Sequence, residues 1–421
     1  MTLTARAFIA LVGGLTAGII LTATASPALV AQVSAFAEPV GGVWLDALQG
    51  TIIPLVFALL FTAVASAAGT ATASRLAGRA LLVFAGLALF SGALSVFLVP
   101  ALLHIWLIPA QAAQALLAQE HAAAVAPVAL SAAAWFRSFI PANIIAAATE
   151  GKMLPIVVFA LAFALAATRI APPLLEALNR FFDATVQTML VLVHWVLLAA
   201  PVGVFALALL VGARAGIGAV GVLAHYVSIV IVSEVVLIAL VYAGAALFLK
   251  TGLASFARAA LPAQVVAIST QSSIATLPAM VEAATGQLGV PETTARLVLP
   301  LAVSVFRITS PLANLAVVIY VATLHGQALS SFTLAAGVAV AFAVSIAAVG
   351  LPGQVSFITS VAPICLAMGV SIGTLPLLIA VEMLPDIFRT LGNVTADLAV
   401  TAGLSRQGPA AARARLEPVA E

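Results

Sequence analysis

Glu382, Asp386, Arg389, Thr390, Asn393 and Asp397 follow one another at spacings of one, three or four residues, in a stretch otherwise made mostly of apolar side chains. On an α-helix each residue advances by about 100°, so all six fall within an arc of about 100°. A single polar stripe on an apolar helix faces a bundle interior or a water-filled cavity. Arg389 offers a planar fork of donors suited to a carboxylate, and Asp386, one turn away, can accept from an ammonium group. Together they match an acidic amino acid; Arg389 alone matches a dicarboxylate. The plainer alternative is an internal ion pair of Arg389 with Asp386 or Asp397 that only holds helices together. Burying several charges costs several kcal/mol, and helix packing alone does not require it.

The elements that position these residues must be membrane helices. The chain has 421 residues, 64% hydrophobic and 7% charged, with a mean hydropathy of +1.25, whereas soluble domains carry about 25% charged residues. Long continuous apolar runs favour helices over a barrel, and the length allows about eight to ten spans. The net charge of +2 gives no reason to expect a nucleic-acid partner. The single Cys365 and five scattered histidines give no metal-ligand pattern. The N-terminal stretch looks like a signal peptide and is read as an uncleaved first helix. Gly14-x-x-x-Gly18 has the spacing of a helix-packing motif, but small residues are so common here that chance is the preferred account. Cations at Arg6, at Arg75 and Arg79, at Lys250 and Arg258, and in the tail predict a multi-pass inner-membrane protein with cytoplasmic termini. The tail 406–421 is predicted to be disordered.

The C-terminal part has a broken texture. LPAQVVAISTQSSIATLPAMVEAA (261–284) is apolar but interrupted at Gln271, Ser272 and Ser273. Each arm is about ten residues, some 15 Å of helix, or half a bilayer. In VGLPGQVSF (349–357), Gly350, Pro352 and Gly353 separate two more short arms. A long helix carrying polar residues follows each interruption, at 292–322 and 371–404. Interrupted segment plus polar helix, given twice, is the pattern of transporters built from inverted repeats.

The run Asp386-x-x-Arg389-Thr390-x-x-Asn393-Val394-Thr395-x-Asp397 resembles the last-helix motif of the dicarboxylate/amino acid:cation symporter family, which includes glutamate and aspartate transporters. Ser272-Ser273-Ile274-Ala275-Thr276-Leu277-Pro278 is similar to its first hairpin tip, and Gly350-Leu351-Pro352-Gly353 to its second. IIPLVFALL (52–60), FIPANIIAAATEGKMLPIVVFA (139–160) and APVGVFALAL (200–209) extend the likeness over most of the chain. The resemblance implies an all-α polytopic membrane protein with eight transmembrane helices, two re-entrant helical hairpins and inverted repeats. It implies a homotrimer working as an elevator. Residues 1–253 would be mainly scaffold, with the third helix (about 79–108) joining the transport domain. Residues 254–405 would form the transport core, with hairpin 1 (256–287), helix 7 (292–322), hairpin 2 (330–368) and helix 8 (371–404). By the same resemblance Arg389 would hold the distal carboxylate of the substrate and Asp386 its amino group. Thr390, Asn393, Ser272, Ser273, Ser310, Gly350, Pro352 and Gly353 would complete the site, and Asp397 with Asn393 would belong to a cation site.

One segment departs from the family. Its seventh helix usually carries Asn-Met-Asp-Gly-Thr, which supplies sodium ligands, whereas this chain has Phe306-Arg307-Ile308-Thr309-Ser310. Asn314, eight residues beyond Phe306, is not read as the motif's asparagine. The change makes the site two charge units more positive. At an effective dielectric of about 20, unit charges about 4 Å apart interact by about 4 kcal/mol, which disfavours sodium beside Arg307. The expectation is that Arg307 replaces a cation and pairs with Asp397; contact with Glu382, or with the substrate, are the alternatives. A residual sodium site near Ser304 and Ser345 is expected to survive on backbone carbonyls, or protons take over through Glu382 and Asp386. No cofactor and no enzymatic arrangement is expected. The function implied is symport of C4-dicarboxylates or acidic amino acids, the rivals being sodium-coupled neutral amino acid transport and an anion channel.

Overall fold

A computed structural model of the chain describes residues 3–73, 75–109, 140–150, 152–215, 218–249, 252–347 and 353–406, and every regular element among them is helical. In order these are α1 (Leu3–Thr24), α2 (Pro27–Gln49), α3 (Ile52–Ala73), α4 (Arg75–Ile105), α5 (Ile144–Thr149), α6 (Met153–Ala167), α7 (Pro172–Leu198), α8 (Ala200–Ala215) and α9 (Gly218–Leu249). There follow α10 (Leu253–Thr270), α11 (Ser273–Glu282), α12 (Glu292–Val305), α13 (Thr309–Leu324), α14 (Ser331–Ala347), α15 (Gly353–Met368), α16 (Leu375–Val381) and α17 (Met383–Arg406). By length and composition α4, α7, α9 and α10 can each cross a membrane. The expected tail beyond 406, and Gly350 and Pro352 of the second interruption, lie outside the described residues.

Local chemistry explains where the helices stop. α10 ends at Gln271, which takes the left-handed conformation at φ 51°. Ser272 then caps α11, its hydroxyl accepting from the Ala275 amide. The first arm of this pair, α10, has 18 residues, longer than the ten read from the sequence. Between Val381 and Met383 the chain also breaks, because Pro385 has no amide hydrogen to donate to the carbonyl of Val381. The single helix expected over 371–404 is therefore two, α16 and α17.

The helix expected over 292–322 is also two. Phe306 is extended (φ −119°, ψ 119°) and divides α12 from α13. Its ring stacks on Phe84 of α4 with centroids 4.5 Å apart. Backbone groups freed by such a break must find partners when buried. Here side chains supply them. The Ser91 hydroxyl donates to the Ile308 carbonyl and accepts from the Leu312 amide at 3.2 Å, while Asn393 Oδ1 accepts from the Thr309 amide at 3.1 Å.

α13 is buried along nearly its whole length, packed among α4, α9, α14, α15 and α17. α9, placed with the scaffold in the sequence reading, runs along α17. At the other side, α1 lies on α8. A Cβ on Gly14 would come within 2.5 Å of the Phe205 carbonyl oxygen, and one on Gly18 within 2.2 Å of that of Leu209. The spacing set aside as chance is a true helix-packing motif: without side chains at these two positions, the backbones touch.

Candidate functional site

The site is organised around Arg389, which α17 carries into the interior between α9, α13 and the α16–α17 junction. Its Nη2 lies 2.8 Å from Glu382 Oε1, its Nε 3.3 Å from Glu234 Oε1, and its Nη1 donates to Asn314 Oδ1 at 3.1 Å. All three guanidinium nitrogens are thus engaged. Glu234 is 0% exposed, Glu382 2% and Arg389 7%. Glu382 sits two turns before Arg389, and its second oxygen accepts from the Tyr226 hydroxyl at 3.3 Å. The internal partners named in the plainer alternative, Asp386 and Asp397, are not the ones Arg389 takes. Water exclusion is the reason for the double pairing: a buried guanidinium is tolerable only when opposite charge is supplied from inside.

Asn393, one turn further along α17, works on the break between α12 and α13. Its Oδ1 accepts from the Thr309 hydroxyl at 2.9 Å as well as from the amide. The same hydroxyl lies 3.2 Å from the Arg389 carbonyl oxygen. Gly392 permits this approach, since a Cβ there would lie 2.5 Å from Thr309 Cγ2. Thr390 turns back on its own helix, donating to the Asp386 carbonyl at 3.0 Å. Ser310 is buried at the start of α13 and its amide donates to the Arg307 carbonyl at 3.1 Å.

Asp397 is completely buried, and neither carboxylate oxygen has a hydrogen-bond partner among the described residues. Arg307 is the charged group that acts on Asp397, the two being the pair expected from the sequence, but no hydrogen bond joins them. Arg307, which follows the extended Phe306, lies within electrostatic reach of Asp386, Arg389 and Asp397. Ser345 is also buried, with a hydroxyl lacking a partner. The side chain of Ser304 lies outside the described residues. Ser272 and Ser273 are half-buried and form no hydrogen bond with the Arg389 cluster, although α10 and α11 both pack against α17. Gly353 opens α15.

Sequence reasoning missed Glu234, Asn314 and Tyr226. Glu234 carried a signal: an acid within a long apolar helix is a functional candidate on cost alone. Asn314 offered no such signal, because its role depends on how α13 restarts after the break. Among the described residues no group of three His, Cys, Asp or Glu converges on a possible metal.

Glu234, Glu382, Asp397 and Arg389, buried among interrupted apolar helices with the half-buried Asp386 and Arg307 beside them, are the build of a membrane transport protein. The chain belongs to the sodium:dicarboxylate symporter family, whose model matches residues 3–407. It is a membrane protein of a transporter family and not an enzyme. It is 31% identical over 259 residues to the proton/glutamate-aspartate symporter of Escherichia coli, an alignment covering 61% of this chain and 58% of that protein. To the proton/sodium-glutamate symport protein of Geobacillus stearothermophilus it is 25% identical over 376 residues, 86% of each chain. To the neutral amino acid transporter B(0) of Oryctolagus cuniculus it is 30% identical over 264 residues, 60% of this chain and 47% of that protein. The aligned part thus spans only about half the length of the first and last of these relatives.

Proposed function

We propose that the chain is a secondary active symporter of small acidic solutes, C4-dicarboxylates or acidic amino acids, in the inner membrane. The observation that carries this reading is Arg389, a buried guanidinium whose fork already binds carboxylates, at present those of Glu382 and Glu234. A substrate carboxylate has the same chemistry and can take the place of one of them. Asp386 is the candidate partner for an amino group, with Thr390, Asn393 and Ser310 around it. Protons replace sodium wholly or in part. Phe306 and Ile308 offer no side-chain oxygens where sodium ligands would stand, and Asp397 is a buried carboxylate ready for a proton or other cation. The bacterial relatives, a proton/glutamate-aspartate symporter and a proton/sodium-glutamate symport protein, agree with proton-linked movement of acidic amino acids. In this reading the protein is a homotrimer, and α4 with α9–α17 slides as an elevator against the remaining helices.

A second reading, transport of a neutral amino acid, is favoured by one observation: every nitrogen of Arg389 is already engaged internally. Purified protein in proteoliposomes separates the two. Labelled L-aspartate, succinate and L-serine are offered under an imposed proton or sodium gradient. Accumulation of aspartate or succinate driven by the proton gradient, with saturable counterflow exchange, is the expected result. Uptake of serine alone would establish the second reading, and flux without counterflow would indicate a channel.

A further inference from the structure

Two carboxylates share one guanidinium at the centre of the protein, and they are not held equally. Glu382 lies closer to Arg389, at 2.8 Å, and its other oxygen accepts from Tyr226. Glu234 is the looser partner, at 3.3 Å, and neither of its oxygens has a hydrogen bond. It stands on a different helix, α9, so it can part from Arg389 without unwinding α17. The charged groups facing Glu234 are Arg389, Glu382 and Asp386, all from the α16–α17 region. α4, α8, α10 and α13 also pack against α9 but add no charged group to that set, and Tyr226 lies two turns away on α9 itself.

We propose that Glu234 is the coupling carboxylate: an incoming acidic substrate displaces it from Arg389, and it crosses the membrane carrying one proton. The inference rests on the acidic-solute reading above. The physical sequence is an exchange of like for like. Arg389 gives up the carboxylate of Glu234 and gains that of the substrate, so its own pairing is unchanged. Glu234 is then a fully buried carboxylate with no cation beside it and acidic neighbours on α16 and α17. An unpaired buried charge costs several kcal/mol, and a proton taken from the side of substrate entry removes that cost. One negative charge and one proton enter together, and the buried charge balance is preserved. When the substrate leaves on the far side, Glu234 pairs again with Arg389 and releases its proton there. Without a proton the exchange is blocked, which is what coupling requires.

The test counts protons. Wild-type protein in detergent is titrated calorimetrically with L-aspartate, with succinate and with L-serine, in buffers of different ionisation enthalpy. The expected result is uptake of about one proton per acid bound, from the one-for-one exchange of carboxylates. Glu234→Gln should take up none and should bind the acids about tenfold more tightly, because the competing carboxylate charge beside Arg389 is gone. Glu234→Asp, which keeps the acid, should restore proton uptake. Glu382→Gln should retain it. Acid binding without proton uptake in the wild type overturns the proposal while leaving the acidic-solute reading intact. So does uptake that persists in Glu234→Gln, or that is lost in Glu382→Gln instead. Binding of serine and of neither acid overturns both together. The wild-type count stands even if a variant fails to fold.

Discussion

Arg389 has one job that the geometry shows and a second, substrate recognition, that we propose. As a structural group it pairs with Glu234 and Glu382, both buried. As a recognition group it offers the only forked donor on the polar face of α17. Removing it alone therefore tests stability before it tests binding. Arg389→Ala leaves two carboxylates buried without their cation, and breaking a buried pair costs about 3–5 kcal/mol. The expected outcome is a large drop in the thermal unfolding temperature in detergent. Arg389→Ala combined with Glu234→Gln should recover part of that loss, since one orphaned charge is gone, and the two effects should be far from additive. If the double variant is no more stable than the single one, Glu234 and Arg389 do not interact as the distances indicate. Only in the double variant does loss of aspartate binding report on recognition.

The elements are shaped by what their polar atoms can find. The break at Phe306 survives inside the protein because Ser91 from α4 and Asn393 from α17 satisfy the amides and carbonyl it frees. The α1–α8 contact survives for the opposite reason, the absence of side chains at Gly14 and Gly18. Gly18→Leu would drive a side chain into the Leu209 carbonyl, and overpacking of this kind costs about 1–3 kcal/mol. Thermal unfolding of that variant should fall below the wild type. Gly86→Leu on α4, where no atom lies within 4 Å of the added Cβ, should not. Equal destabilisation of both would mean that leucine at any helical glycine is harmful, and that the α1–α8 contact has no special tightness.

At the scale of the whole molecule the usual arrangement of a soluble protein is reversed. Large apolar side chains such as Phe36, Leu82, Phe97 and Phe248 point outward, while the charges of Glu234, Glu382, Arg389 and Asp397 gather inside around α17. Lipid is the solvent that makes this stable. The proposed trimer is checked by native mass measurement of the detergent-solubilised protein, with a mass of three chains expected and a single-chain mass refuting it.

Membrane class, helical make-up and the polar stripe from Glu382 to Asp397 were legible in the sequence, because each depends on composition or on a local period. So were the interruption at Gln271 and the presence of Arg307 where the family has no cation. The partners of Arg389 were not. Glu234 is 155 positions away in the chain, and only the packing of α9 along α17 brings it to the guanidinium. The break at Phe306 was equally hidden, since it depended on Ser91 and Asn393 more than on propensity, whereas the break at Val381 had its signal in Pro385. The sequence by itself determined that charge had to be buried; the tertiary structure decided which charges met, because a buried ion takes whatever counter-ion the fold places within reach.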